Sequence, residues 1–366
     1  MRVAVVSPWE VDDPDGWSGT IAPMYEALQA RVDAVPVRVP MVRDHLVDRA
    51  AARLVGTGGW GYLTAHAVAT SRKLGRPVAE AVNASRAHVV LSVAASTALA
   101  HARLGVPVIE VGDTTFRLVT GYYPMFSRLH PLSVWQGEAL ARRTTRQAAG
   151  FVVASRWAAR SLVEDYGVEA ERVGVAPFGP GIVAASSPRG PRQGRPLRLL
   201  FVGSDWVRKG GDAAVQVLER LREDGIAAEL SIVGEAPDGL AEVVRLGRVP
   251  RARMADVYAS HDILLETALA NAAGVTLTDS VAAGLPVVAT RTGGVADIVD
   301  DGVTGVLVDA RRVVPEATAA VRRLADPATW SKTSEAARRR GREVLTWDHW
   351  AETVVEACRR AVAGRH

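Results

Sequence analysis

A lysine in a glycine-bearing segment is the first candidate for chemistry in this sequence. The segment GSDWVRKGG (203–211) contains Lys209, and the other cations are arginines except for Lys73 and Lys332. The segment follows the apolar run LRLLF (197–201) and precedes a stretch of helical periodicity. Loops between a strand and a helix bind phosphate, because backbone N–H groups and the helix N-terminus favour an anion. Lys209 is therefore a candidate phosphate ligand, and the alternative is a solvated cation at a helix start.

A second glycine-bearing loop, DGWSGT (15–20), follows the first apolar run of the chain, RVAVVSP (2–8). Each loop comes directly after the first predicted strand of one half of the chain. In open α/β sheets, ligands bind outside the carboxyl ends of the strands. We expect both loops to point into one cleft, and this pairing favours the phosphate site over the solvated cation for Lys209.

Strands alternate with helices in both halves of the sequence. This alternation predicts two doubly wound parallel sheets, each in a Rossmann-like α/β domain. The predicted strands are 2–8, 87–93, 107–112 and 150–155 in the first half, and 197–203, 228–234, 262–266, 286–290 and 305–309 in the second. A helix is predicted over ASTALAHARLG, after the second of these strands.

Proline, glycine, serine and arginine break this alternation at 184–196, which we interpret as a linker between domains 1–183 and 197–345. The length of 366 residues suits two domains, and 48% apolar with 23% charged residues is typical of a soluble globular protein. No apolar run approaches the length of a membrane span, and the N-terminal run is too short for a signal peptide. The single cysteine, Cys358, excludes an internal disulfide, so we expect a core-facing thiol and a cytoplasmic protein.

The net charge of +4 comes from basic residues that are mostly interleaved with acids. Two basic clusters, ARRTTR (141–146) and ARRRGRE (337–343), lie on helical patterns and are interpreted as solvated helix faces, with a weak membrane-surface contact as the alternative. Aromatic residues make up 5% and do not interleave with the basic ones, which argues against a nucleic-acid partner. The acidic pieces DDPD (12–15) and VDDG (299–302) lack the spacing of metal ligands, so no metal site is predicted.

Longer stretches resemble one enzyme family over nearly the whole chain. They are WSGT, DTTFRLVTGYYPMFSRL (113–129), SRWAARSLVEDYGVEAERVGVAPFG (155–179), FVGSDWVRKGG, GVTLTDSVAAGLPVVATRTGGVADIVDDGVTGVLVD (274–309) and LTWDHWA. These stretches resemble the retaining glycosyltransferases of family 4, which have the GT-B fold. The resemblance implies transfer of a sugar from a nucleotide diphosphate donor, bound mostly by the second domain, to an acceptor bound mostly by the first. It also implies a final helix, 346–366, that packs back on the first domain, and no cofactor besides the donor substrate.

The resemblance gives Lys209 the role of holding the donor diphosphate. The family's partner arginine is expected just after the strand glycine Gly203, where this sequence has Ser204. We therefore expect Arg208 to supply the second cation. Both cations would neutralise charge that grows on the leaving phosphate as the sugar bond breaks.

Two segments of the first domain match parts of the family's site. Ser18, Gly19 and Thr20 match the loop that approaches the donor phosphate and the acceptor. Asp113 lies where many relatives have a histidine-containing segment near the donor sugar. For Asp113 the alternative is a structural one, the N-cap of a helix that begins at Thr114.

The main difference from the family pattern concerns two glutamates that lie eight positions apart. This sequence has Asn271 and Asp279 at those positions. Asp279 keeps a carboxylate for the ribose hydroxyls, whereas Asn271 would meet the donor sugar with a neutral amide that both donates and accepts. The family usually has an aromatic residue just before the glycine, and this sequence has Ala273 there. Gly274 and Val275 remain as backbone contacts to the donor. We expect an altered donor preference, with loss of turnover as the alternative.

The family is thought to use no protein nucleophile, since the donor's own phosphate takes the acceptor proton. The neutral Asn271 fits that scheme because it can serve neither as nucleophile nor as base. The loop LGRVP (246–250) is predicted to supply backbone contacts to the nucleobase. The sequence does not identify the acceptor, which is a hydroxyl of a small metabolite, of a natural product or of a lipid. Two alternatives to a transferase are a silent nucleotide-sugar-binding partner of another transferase and a nucleotide-sugar epimerase.

Overall fold

The computed structural model describes residues 1–40, 46–182, 196–240 and 242–364. The chain divides into two compact units. Unit 1 consists of Met1–Ala176 and Trp347–His366, and unit 2 is Pro177–Thr346. The first unit thus ends before the predicted boundary at residue 183. The predicted linker lies outside the described residues, apart from Pro196.

Twelve strands are present in the described residues. They are β1 Arg2–Ser7, β2 Asp33–Arg38, β3 Val89–Val93, β4 Val108–Gly112, β5 Gly150–Val153, β6 Val173–Val175, β7 Leu197–Gly203, β8 Ala228–Gly234, β9 Val244–Gly247, β10 Ile263–Glu266, β11 Val287–Thr290 and β12 Gly305–Val308. The strand order is β2-β1-β3-β4-β5-β6 in unit 1 and β12-β11-β10-β7-β8-β9 in unit 2. All pairings between neighbouring strands are parallel. The predicted pair of doubly wound α/β domains is therefore confirmed.

The described part of the chain also holds fifteen α-helices and several short 3-10 turns. The helices are α1 Ile21–Gln29, α2 Leu46–Gly56, α3 Val68–Ser85, α4 Ser96–Leu99, α5 Phe116–Val119, α6 Pro131–Gln147, α7 Arg156–Glu164, α8 Trp206–Lys209, α9 Gly211–Glu223, α10 Arg251–Ser260, α11 Val275–Ala283, α12 Val295–Ile298, α13 Val313–Leu324, α14 Pro327–Glu343 and α15 Trp347–Ala363. The final helix, α15, packs against α1 and β3 to β6, all of which belong to unit 1.

Apolar periodicity explains how the helices attach to the sheets. Helix α9 buries Ala214, Val217, Leu218 and Leu221, which recur at the spacing of one helix face. These side chains join a core cluster with apolar residues of β7, β8 and α13. The strands of the two sheets are rich in valine and leucine because helices cover both faces of a parallel sheet.

Three strands, β2, β6 and β9, were not predicted. Strands β2 and β9 lie at sheet edges, where β2 is partly exposed and β9 is exposed at all four residues, and β2 contains Pro36, which an edge tolerates. In β2, Pro36 interrupts the apolar residues, and β9 has only four residues, so neither was recognised as a strand. Because β9 extends to Gly247, the predicted loop 246–250 begins inside a strand. The helix predicted over ASTALAHARLG is the short α4, Ser96–Leu99.

The first basic cluster, 141–146, lies on an exposed helix face as predicted, since Arg142, Arg143 and Arg146 are exposed, whereas the second cluster, 337–343, is partly buried. In the second cluster, the Arg340 guanidinium donates to the carbonyls of Asp297 and Ile298 and to the Asp300 carboxylate. In the first, Arg142 pairs with Glu138 at 2.7 Å. Arg340 therefore helps to hold unit 2, whereas Arg142 forms an i,i+4 ion pair within its own helix α6. Cys358 is buried as expected, and burial raises the pKa of its thiol to about 12.

A search of the described residues finds no helix with both the length and the apolar character needed to cross a membrane. Within the same residues, no three His, Cys, Asp or Glu side chains come together as a potential metal site.

Candidate functional site

The candidate site of unit 2 lies where the strand order reverses. Strands β7 and β10 are neighbours in the sheet although two strands separate them in sequence. Lys209 follows β7, and Glu266 is the last residue of β10. Because the carboxyl ends of parallel strands share one edge, this switch point brings their side chains together.

A one-turn helix and two glycines position Lys209. The side chain of Asp205 caps α8 by accepting the backbone N–H of Arg208 at 3.1 Å. Gly210 then ends the turn with a left-handed φ of 71°, and a Cβ there would lie 2.0 Å from the Thr267 carbonyl oxygen. At Gly203, a Cβ would lie 2.7 Å from Cγ of Lys209. The lysine stem thus packs directly over the end of β7.

Lys209 forms a buried ion pair with Glu266. Its Nζ donates to Oε1 of Glu266 at 2.7 Å, and the Glu266 side chain is 2% exposed. Nδ2 of Asn271 donates to the same oxygen at 3.3 Å, and Oγ1 of Thr276 donates to Oε2 at 2.8 Å. Both oxygens of this carboxylate are therefore hydrogen-bonded, as a buried charge requires. The network joins Lys209 and Asn271, two of the predicted site residues, through a glutamate that was not predicted.

Arg208, predicted as the second cation, lies beside Lys209 but points to other partners. Its Nε is 3.1 Å from Oδ2 of Asp205, and its Nη1 donates to the carbonyl of Ala270 at 3.1 Å. The guanidinium thus ties the loop after β7 to the loop after β10. Ser204, in the place of the family's arginine, is exposed.

Asn271 also shapes the backbone turn that starts α11. Its Oδ1 accepts the N–H of Gly274 at 2.9 Å. Gly274 is the N-cap of the helix, and Val275 is its first residue. Because the amide of Asn271 donates to Glu266 and accepts from Gly274, it uses both of its chemical functions within the protein.

Asp279 lies on α11 and is 6% exposed. Its Oδ1 accepts the backbone N–H of Gly181 at 2.6 Å, and Nε of Arg251 donates to the Gly181 carbonyl at 3.2 Å. Burial raises the pKa of Asp279 to about 6, against the lowering effect of Gly181, Arg251 and Ile182. The buried Tyr258 hydroxyl has no hydrogen-bond partner in the described structure. The carboxylate predicted to bind ribose therefore already holds the chain at residues 181–182.

The glycine loop of unit 1 follows β1 and has an unusual backbone. Trp17, Ser18 and Gly19 have φ values of 47°, 59° and 74°, so two non-glycine residues occupy the left-handed region. Such residues cost about 1 to 2 kcal/mol each. Thr20 is buried, and its Oγ1 donates to the Trp17 carbonyl at 2.8 Å. The hydroxyl of Thr20 thus holds the loop itself, whereas Ser18 is exposed.

Asp113 does not cap a helix, contrary to the structural alternative. Helix α5 begins at Phe116, and its N-cap is Thr115, whose side chain accepts the N–H of Leu118. Asp113 instead follows β4 at the carboxyl edge of the unit 1 sheet. Burial raises the pKa of its carboxyl to about 6.

The sequence interpretation missed Glu266 and Thr276. A glutamate that ends the apolar run DILLE was the available signal, because a charged residue at the end of a buried strand needs a partner. Thr276 had no distinguishing signal. Its contact with Glu266 depends on how β10 and α11 pack.

Residues 196–326 match the family model described as glycosyl transferases group 1. Among curated proteins, the chain is similar to D-inositol 3-phosphate glycosyltransferase of Xylanimonas cellulosilytica, with 28% identity over 257 residues. That alignment covers 63% of this chain and 61% of the relative, so the matched part spans less than two thirds of the relative's length.

Two solved structures share the fold over nearly the whole chain. Sucrose-phosphate synthase of Thermosynechococcus elongatus superposes with a TM-score of 0.69 and 16% identity, and the match covers 100% of both chains. HepE of Anabaena, solved in complex with UDP, gives a TM-score of 0.68 at 14% identity and covers 98% of this chain and 100% of its own. The chain therefore has the GT-B fold.

Proposed function

From the match of residues 196–326 to the model of glycosyl transferases group 1, we propose that this protein is a glycosyltransferase with a nucleoside diphosphate sugar as its donor. The sugar passes to an acceptor hydroxyl with retention of its anomeric configuration. The relative in Xylanimonas carries the name of a glycosyltransferase, and HepE was solved with UDP and with UDP-glucose. Both similarities support a donor of this class.

The observation that carries the proposal is the placement of Lys209. A buried ammonium at the carboxyl edge of a parallel sheet, beside the strand-order reversal, suits a diphosphate. A cation there stabilises the charge that grows on the departing nucleoside diphosphate. Arg208 adds a second positive charge next to it along the chain.

The other predicted residues receive roles in the same scheme. Gly203 and Ser204 form the backbone turn that approaches the phosphates, while Gly274 and Val275 present the start of α11 to the sugar. Asp279 accepts hydrogen bonds from the ribose hydroxyls with the carboxylate lone pairs that the Gly181 N–H does not use. In unit 1, Ser18, Gly19, Thr20 and Asp113 belong to the acceptor side.

The reaction needs no base from position 271. The donor phosphate oxygen takes the proton of the acceptor hydroxyl as the new glycosidic bond forms and the bond to the diphosphate breaks. The protein binds and orients the reactants and stabilises the leaving group. We propose that this chemistry proceeds without a metal ion.

The experiment is a panel of nucleotide sugars screened for thermal stabilisation of the full chain. The best binder is then incubated with candidate acceptors, and NMR of the product gives the anomeric configuration. Transfer with retention supports the proposal, and transfer with inversion would contradict the mechanism. Repeating the assay with a chelator tests the independence from metal.

A second candidate is a nucleotide-sugar-binding partner without turnover. The observation that favours it is the amide at Asn271, which bonds within the protein to Glu266 and Gly274. In that case a donor binds tightly in calorimetry, yet neither transfer nor hydrolysis occurs with any acceptor. The same panel therefore separates the two candidates.

A further inference from the structure

The charges around the proposed diphosphate ligands are balanced by the protein itself. Lys209 is paired with Glu266 at 2.7 Å, and Arg208 is paired with Asp205 at 3.1 Å. A diphosphate that binds here meets two cations that each have a carboxylate partner. The pair of Lys209 and Glu266 is the more consequential, because both side chains are buried and solvent screens their charges weakly.

We propose that Glu266 is a built-in counter-ion, which competes with the donor diphosphate for the Lys209 ammonium and thereby limits how tightly the nucleoside diphosphate is held. Glu266 acts through Lys209 and is a positioning residue, since its contacts are to the protein. This inference rests on the proposed function, because it concerns the same donor site.

The structure fixes the Glu266 carboxylate in place. The Asn271 amide holds Oε1 at 3.3 Å, and the Thr276 hydroxyl holds Oε2 at 2.8 Å. A swing of Glu266 away from Lys209 would break both of these bonds in a buried setting. The negative charge therefore stays when a ligand arrives, and a diphosphate experiences its repulsion as well as the attraction of the ammonium.

An ammonium can serve both anions, because lysine has three N–H donors and Glu266 occupies one of them. A diphosphate can thus bind without displacing Glu266, but with less affinity than an unpaired lysine would give. The functional consequence is faster release of the nucleoside diphosphate product. A nucleoside diphosphate product that is held less tightly leaves the site faster.

The test uses Glu266→Gln, which keeps the side-chain volume and removes the charge. Binding of UDP and of inorganic pyrophosphate to the full chain is measured by titration calorimetry at low salt. We expect the dissociation constant of each probe to fall about fivefold or more, because a fixed like charge near the phosphates is gone. Glu223→Gln, an exposed residue of α9 in the same unit, serves as the matched control and should leave both constants unchanged.

A double-mutant cycle of Glu266→Gln and Lys209→Met shows whether the gain in affinity depends on the Lys209 ammonium. Without the lysine there is no ammonium for Glu266 and the diphosphate to compete for, so a further Glu266→Gln should change affinity much less than it does in the wild type. A gain of equal size in both backgrounds would contradict competition for Lys209. If Glu266→Gln does not fold, Glu266→Asp replaces it, since the shorter carboxylate withdraws from Nζ, and a smaller gain in affinity is expected.

The outcomes separate this inference from the proposed function. The counter-ion role is contradicted if the Glu266 variants bind UDP as tightly as the wild type or more weakly while Lys209→Met binds it more weakly. That result still supports the donor site. If neither the wild type nor Glu266→Gln binds UDP, ADP, GDP or pyrophosphate, both the counter-ion and the donor site are wrong. A structural defect alone would not raise affinity, so a gain supports the counter-ion.

Discussion

The carboxylate of Asp279 on α11 accepts a hydrogen bond of 2.6 Å from the backbone N–H of Gly181. Gly181 belongs to the short segment that begins unit 2, and Arg251 of α10 holds its carbonyl at 3.2 Å. The start of the unit is thus attached to two of its helices. One of the two attachments is a carboxylate whose pKa is raised by burial to about 6.

This raised pKa predicts a stability that depends on pH. Because the folded protein binds the Asp279 proton more tightly than the unfolded chain does, stability falls as pH rises from about 4 to about 6, by up to about 3 kcal/mol. Asp279→Asn keeps an oxygen for the Gly181 N–H and removes the titration. We expect the decrease in melting temperature between pH 4 and pH 7 to be smaller in the variant than in the wild type. Parallel curves for the two proteins would contradict the prediction.

The proposed donor site is tested by removing the Lys209 charge. Lys209→Met should weaken UDP binding by about 1.5 to 3 kcal/mol, the size of a lost hydrogen bond to a charged group. Lys332→Met is the matched control, because Lys332 is an exposed lysine of α14 in the same unit. Calorimetry should show the loss only for Lys209→Met. Unchanged affinity would remove this lysine from the site.

Asn271→Glu introduces the glutamate that the resembled glycosyltransferase family has at this position, and on its own it should give no gain of turnover. Asn271→Glu would place a second carboxylate where Nδ2 now donates to Glu266 at 3.3 Å. Two buried carboxylates that share one lysine repel each other, so we expect a lower melting temperature and no gain of turnover. Combining Asn271→Glu with Glu266→Gln leaves one carboxylate and should recover most of the stability. Thermal unfolding of the single and double variants measures this, and a fully stable Asn271→Glu would contradict it.

Gly203 is expected to affect UDP binding by setting the position of the Lys209 side chain. In Gly203→Ala, the new Cβ would lie 2.7 Å from Cγ of the lysine and 3.0 Å from its Cβ, so the stem must shift. We expect UDP affinity to fall about tenfold, since a displaced ammonium loses its alignment with the phosphates. Gly105→Ala is the control, because a Cβ there meets nothing within 4 Å. If both variants bind UDP like the wild type, Gly203 has no part in positioning the lysine.

The sequence by itself determined the class of fold and located the segments in which we propose that the chemistry takes place. Apolar runs such as LRLLFVG and helical spacing such as that of α9 are local properties, and the burial of a parallel sheet by helices leaves few other arrangements for them. The edge strands β2 and β9 were not predicted because Pro36 interrupts β2 and because β9 is a short strand whose four residues are all exposed. The loop after β7 could be located from its glycines and its rare lysine.

Only the tertiary structure decided the partners of those residues. Lys209 and Glu266 are far apart in the chain, and they meet because β7 and β10 are neighbours at the point where strand order reverses. The engagement of Asp279 with Gly181 is likewise a contact between distant segments. Local sequence patterns encode burial and turns, whereas the pairing of charges across a sheet depends on strand order. No single stretch of sequence contains that order.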